Sequence, residues 1–164
     1  MKPIDTDDYF EMVMKGFANV GNQFETETMT VITEEIFKIA WMTSVRFNNF
    51  ITFADSIDLY RFQVYVNECL NMTRQNRSKL GFPSVCNAVL ITENAPKSVI
   101  DHALKRPAMH PNMTEYPIVI DLAKGESYFY TGIIIYGVLY AKFEREYIDG
   151  HFALPLRVLK GKRK

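Results

Sequence analysis

The chain is poor in cysteine, with two, Cys69 and Cys86, in 164 residues. Two are too few for a disulfide framework, and both are expected as reduced thiols. Long hydrophobic runs are missing too. The longest, Gly132 to Ala141, is half of the roughly 20 residues that a bilayer-spanning helix needs. The N-terminus turns acidic at Asp5 with no apolar leader before it, so no export signal is read and the expected compartment is the cytoplasm. Net charge is also absent, because 19 Lys+Arg balance 19 Asp+Glu, and this excludes a strongly basic nucleic-acid coat. No G-x-S-x-G elbow, P-loop or G-x-G-x-x-G occurs, which removes the commonest phosphate- and acyl-transfer signatures.

What is present is an ordinary globular composition, 48 % hydrophobic and 23 % charged. The length suits one domain, read as residues 1–156 followed by a basic tail at 157–164. The zero charge is a cancellation. Residues 1–35 sum to −6, residues 36–156 to +1, and the last eight to +5 through Arg157, Lys160, Lys162, Arg163 and Lys164. The acidic start is largely accounted for by an amphipathic helix with the stripe Phe10, Val13, Met14, Phe17, whose positive end attracts Asp5, Asp7 and Asp8, with Asp8 and Glu11 resembling a capping box.

Further elements follow from periodicity. Phe24–Ile32 alternates like a half-exposed strand, Ile36–Val45 is a second apolar segment, and Phe50–Ala54 is a third, with Arg46–Asn49 between them as a turn. Residues 34–42 also fit a helix start. Asp55-Ser56 offers an N-cap for a long helix with Leu59, Phe62, Val66 and Leu70 on one face. Val85–Thr92 is a continuous apolar run, as in a strand buried on both faces. A helix opens at Asn94-Ala95-Pro96, Tyr116–Leu122 is another buried strand, and Ser127–Thr131 returns as its hairpin partner. The last element is a helix through Ile135, Leu139, Tyr140, Phe143 and Tyr147 with Glu144 and Glu146 outward, although 133–141 also fits a strand. The expected fold is α+β, α/β-like: one mixed sheet of about six strands covered by helices, in the order α-β-β-β-α-β-α-β-β-α.

Three carboxylates, Asp55, Glu93 and Asp121, each fall at the carboxyl end of an apolar strand run, where open α/β sheets bind ligands. If the strands run the same way, these oxygens suit a shared Mg²⁺ for a metal-dependent hydrolase. Each also has a bland use as a cap or turn residue. His110, in a Pro-flanked loop near Glu115, is the best histidine for a general base; His102 and His151 match no metal-ligand spacing. The cysteines read as core residues. The order helix, three-strand meander, helix, strand resembles the core of the PD-(D/E)xK nucleases. That resemblance implies an acid on the second strand and an acid-x-Lys on the third. Here the third strand reads Phe-Ile-Thr-Phe-Ala-Asp, without that lysine, and Glu34-Glu35-Ile36-Phe37-Lys38 has the residue types at another spacing.

The basic clusters Arg74, Arg77, Lys79 and Lys105, Arg106 suit helix C-termini. The basic tail has no such use and suits a phosphate-seeking arm for nucleic acid. Aromatic residues at 13 % and eight methionines suit a partner surface or a homo-oligomer. The leading expectation is a binding or regulatory partner module, with the carboxylate hydrolase and the nucleic-acid-associated protein as alternatives.

Overall fold

The computed structural model describes residues 3–19, 21–38, 42–76, 81–132 and 138–162. Helix α1 (Thr6–Gly16) starts at Asp5, whose carboxylate accepts from the N–H groups of Asp7 and Asp8 at 3.0 and 3.2 Å. Asp5, not Asp8, is therefore the cap. A meander follows: β1 (Asn22–Glu25), β2 (Thr30–Lys38) and β3 (Thr43–Phe53), antiparallel in sequence. Helix α2 (Leu59–Gln75) then leads to β4 (Ser84–Thr92), and α3 (Lys97–Ala103) to the two-residue β5 (Met109–His110), β6 (Met113–Asp121) and β7 (Glu126–Tyr128). Helix α4 (Val138–Ile148) passes through one π-helical stretch, Asp149–Ala153, into α5 (Leu154–Gly161).

These strands form one mixed sheet in the order β1-β2-β3-β4-β6-β5, with β7 also on β6. β3, β4 and β6 are parallel neighbours. The pleat of β4 sends Val85, Val89 and Ile91 to one face and Cys86, Ala88 and Leu90 to the other, so helices must cover both. α1, α4 and α5 pack on the first face through Tyr9, Val13, Phe17, Tyr147, Leu156 and Leu159. α2 and α3 pack on the second through Phe62, Tyr65, Val66, Cys69 and Val99.

Several expectations move. The strand expected over Phe24–Ile32 is interrupted by a tight turn, Thr26 N–H donating to Met29 O at 2.9 Å. Arg46–Asn49 is no turn but the middle of β3, and the chain reverses between β2 and β3. Asparagines favour turns, but here Asn48 donates its side-chain amide to Val85 O at 3.4 Å and Asn49 to Ile32 O at 3.2 Å. The α2 cap is Asp58, accepting from Arg61 N–H at 2.8 Å, in place of Asp55. Residues 138–141 are helical, while 133–137 of the helix-or-strand alternative lie outside the described residues. Glu144, expected outward, is 4 % exposed. Arg157 and Lys160 belong to α5 rather than to a tail that leaves the fold, and Leu159 between them is buried; Arg163 and Lys164 lie outside the described residues.

Candidate functional site

The parallel run of β3, β4 and β6 does bring Asp55, Glu93 and Asp121 to one edge of the sheet. Their side chains go different ways. Asp121 is fully buried and accepts from Ala95 N–H at 3.2 Å, Lys124 N–H at 3.0 Å and Lys124 Nζ at 2.7 Å. It ties the start of α3 to the turn after β6. Asp55 and Glu93 are exposed. Among the described residues no group of three His, Cys, Asp or Glu side chains could hold a metal ion, so the expected Mg²⁺ set of Asp55, Glu93 and Asp121 is not assembled.

His110 does meet Glu115, Nε2 to Oε2 at 3.3 Å, but Arg74 Nη2 lies 3.4 Å from its Nδ1. A guanidinium only donates, so Nδ1 accepts and Nε2 carries the proton towards Glu115. With both ring nitrogens engaged, His110 has no lone pair left for a substrate. The thiols are no better placed to react: burial pushes Cys69 up, and burial of Cys86 raises it to about 12. A nucleophilic thiol needs the opposite shift. No acid-x-Lys pair stands on β3, and Glu35 of β2 instead binds Arg46 at 3.1 Å.

Two cations of the expected basic tail have structural employment. Arg157 forks onto Asp149 with bonds of 2.8 and 2.7 Å, and Lys160 Nζ donates to the carbonyls of Lys124 and Gly125 at 3.1 and 3.3 Å. Of the five cations expected to seek phosphate, Lys162 stays exposed at the end of α5.

A different set of groups comes together on the α1/α4 face. Glu34 Oε2 accepts from Tyr147 OH at 2.9 Å, Tyr147 OH accepts from Asn49 Nδ2 at 2.9 Å, and Asn49 Oδ1 accepts from Asn87 Nδ2 at 2.8 Å. β2, β3, β4 and α4 each contribute one member. Register aligns Ile32 with Asn49, Asn49 with Asn87 and Asn87 with Tyr116, so the polar row crosses the sheet. At its far end Tyr116 OH donates to Glu144 Oε2 at 2.9 Å. Asn87 Oδ1 is buried with no hydrogen-bond partner among the described residues.

Aromatic packing fixes the row. Tyr147 stacks on Phe47 at 3.8 Å between centroids, and the His151 ring lies against Tyr147 and Phe17, each at 4.3 Å. His151 sits in the π-helical stretch, an irregularity that often marks functional positions. Burial holds the His151 imidazole below its usual range, partly opposed by the negative charge of Glu34. Burial also raises the Tyr147 hydroxyl and the Glu144 carboxyl, the latter opposed by hydrogen bonds from Tyr116 and Thr114.

Glu34, at one end of the row, also borders a pocket. The pocket, of about 450 Å³, is lined by Asn19, Gly21, Asn22, Thr33, Glu34, Glu35 and Arg46, where β1 stops and β2 continues alone. Gly21, at φ +75°, closes tightly on the edge: a Cβ there would lie 2.1 Å from Thr33 O, so only glycine fits. Glu34 is 8 % exposed and enters no ion pair among the described residues.

The sequence hinted at this site only through its misfits: a Glu pair inside an apolar strand, and paired asparagines among β-branched and aromatic residues. His151 and Tyr147 gave no signal, since a histidine and a tyrosine four residues apart are common on any helix. No family model matches the chain, and no curated protein or solved structure matches it either.

Proposed function

We propose that this chain acts by binding, and that the pocket over Glu34 takes a small organic cation, an ammonium or a guanidinium. One observation carries the reading: a carboxylate nine-tenths buried, at a residue that borders a pocket, with no ion-pair partner among the described residues. Removing a charge from water costs several kcal/mol unless an opposite charge or hydrogen bonds offset it. Tyr147 supplies one hydrogen bond. The neighbouring basic group, His151, is held towards its neutral form by burial and so brings no charge at neutral pH. The other carboxylate of the pocket, Glu35, is already spent on Arg46. Asn19, Asn22 and Thr33 add polar groups around the entering cation.

At about 4 Å and an effective dielectric of about 20, an ammonium gains about 4 kcal/mol from Glu34 before the cost of its own desolvation. A net gain of about 4 kcal/mol would correspond to a millimolar dissociation constant, so after the desolvation cost a small amine is expected to bind more weakly than that. The test is titration of n-butylammonium and methylguanidinium by calorimetry, with the Tyr147 and His151 ring signals followed by NMR. Glu34→Gln keeps the size and the acceptor for Tyr147, and is expected to weaken both ligands at least tenfold. Equal binding by Glu34→Gln and the parent protein refutes the reading.

A further inference from the structure

The occupant of this pocket is constrained by the strand beside it. Hydrogen-bond phase along the sheet follows from two contacts: Arg46 N–H donates to Pro83 O at 2.9 Å and Ala54 N–H to Ile91 O at 3.1 Å, both on the β4 side. Even-numbered residues of β3 therefore turn their backbone groups to β4, and odd-numbered ones to β2. Through the observed register, Thr30, Ile32, Glu34 and Ile36 of β2 bond to β3. Val31, Thr33, Glu35 and Phe37 face the other way, towards the outer edge.

β1 pairs with Thr30 through Thr33 and then ends. The outward N–H and C=O groups of Glu35 and Phe37 have no backbone partner among the described residues. Phe37 is 57 % exposed on the same two residues. An edge without partners among the described residues is a template for another strand. It begins where the acidic pocket lies, so a strand laid along it delivers a side chain directly to Glu34.

Resting on the cation reading above, we infer that the ligand is an extended peptide segment that adds to the β2 edge at Glu35 and Phe37 and places a lysine or arginine side chain in the pocket over Glu34. Main-chain bonds to four outward groups supply affinity without regard to sequence, and the uncompensated carboxylate selects the basic residue, the division of labour seen when a peptide extends a sheet. Phe37 covers one face of the added strand. Charge complementarity favours a basic peptide over a second copy of this chain, whose own edge residues include Glu34 and Glu35.

The probe is the blocked pentapeptide acetyl-Thr-Val-Lys-Val-Thr-amide, compared with the same peptide carrying Glu for Lys and with n-butylammonium. The lysine peptide is expected to bind at least tenfold tighter than n-butylammonium, and the glutamate peptide at least tenfold weaker than the lysine peptide. Bound peptide slows hydrogen exchange at the amides of Glu35 and Phe37 and leaves those of Glu34 and Ile36, already bonded to β3, unchanged. Phe37→Pro removes one outward N–H without touching the β3 ladder, so the melting temperature holds while peptide affinity falls to that of n-butylammonium. Should the peptide bind no better than n-butylammonium, or survive Phe37→Pro, edge docking is overturned while the cation pocket stands. If neither probe binds, both readings fall. Equal binding of the glutamate peptide overturns the selection by Glu34. Exchange at Glu35 and Phe37 that slows with protein concentration alone identifies a second copy on the edge and overturns the peptide.

Discussion

Asp121→Asn separates a structural carboxylate from a metal ligand. Asp121 is fully buried, and three donors converge on it: the backbone N–H groups of Ala95 and Lys124 and the Lys124 ammonium. Hydrogen bonds to a charged group contribute about 1.5–3 kcal/mol each, and a buried donor left unpaired costs about 1–3 kcal/mol. Asparagine keeps one acceptor oxygen but turns an NH₂ towards at least one of the N–H donors. Lys124 is nearly half exposed, so its ion pair adds at most about 1 kcal/mol. The sum is a loss of about 3 kcal/mol, which in a domain of this size lowers the melting temperature by about 6–12 °C.

The assay is chemical denaturation of Asp121→Asn beside Lys124→Met, with and without Mg²⁺. Lys124→Met retains both backbone bonds and is expected to lose no more than about 1 kcal/mol. A loss below about 1 kcal/mol in Asp121→Asn refutes the tie between α3 and the turn after β6. So does a Mg²⁺-dependent rise in parent stability that Asp121→Asn abolishes, since that behaviour belongs to a ligand set.

Two further perturbations act through buried titrating groups. Burial raises the Glu144 carboxyl, so the folded chain holds that proton more tightly than the unfolded chain; its contribution is fully present below the ordinary glutamate range and is lost as pH rises through the folded value. Glu144→Gln mimics the protonated form, and denaturation series from pH 4 to 8 are expected to show a flatter alkaline arm and a gain in stability over the parent at pH 8; an unchanged slope refutes it. His151 is shifted the other way, below its usual range, so the unfolded chain binds the proton first and stability falls as pH drops below about 6.5. His151→Phe keeps a ring between Phe17 and Tyr147 and is expected to lessen the loss between pH 7 and 5; an acid arm identical to the parent's refutes the assignment.

The parts of the fold legible in the sequence are those where one local pattern has one use. Val85–Thr92 has no polar face, and it is a strand covered on both sides. Leu59, Phe62, Val66 and Leu70 repeat at helical spacing, and they share α2. The failures fall where a residue's usual local role yields to a distant partner. Asn48 and Asn49 resemble turn residues until β4 and α4 supply acceptors and donors 37 to 98 positions away. Glu144 resembles a solvent-facing helix residue until Tyr116, 28 positions earlier, meets it beneath the helix. The strand-end carboxylates converged on one edge as the α/β rule anticipates, but the direction of a side chain at a strand end is set by the loop that follows, and for Asp121 that loop turned it inward.

The cost of the polar row argues that it is there for more than folding. Glu34, Asn49, Asn87, Tyr147 and Glu144 occupy positions between a sheet and a helix that aliphatic side chains would fill without desolvating any polar atom. Replacing such groups by packed hydrophobes is commonly neutral or stabilising, whereas a row left partly satisfied, as at Asn87 Oδ1, is a net burden. The row also has a direction. It runs from Glu144 beneath α4 to Glu34 beside the sheet edge, where β1 has stopped and the outward backbone groups of Glu35 and Phe37 have no partner among the described residues. A longer β1 would cover that edge and remove the little solvent contact Glu34 has, leaving it the hydrogen bond from Tyr147. The joint effect of the short strand and the buried acid is to bring main-chain donors and acceptors, an apolar ring at Phe37 and the Glu34 carboxylate within a few residues of one another.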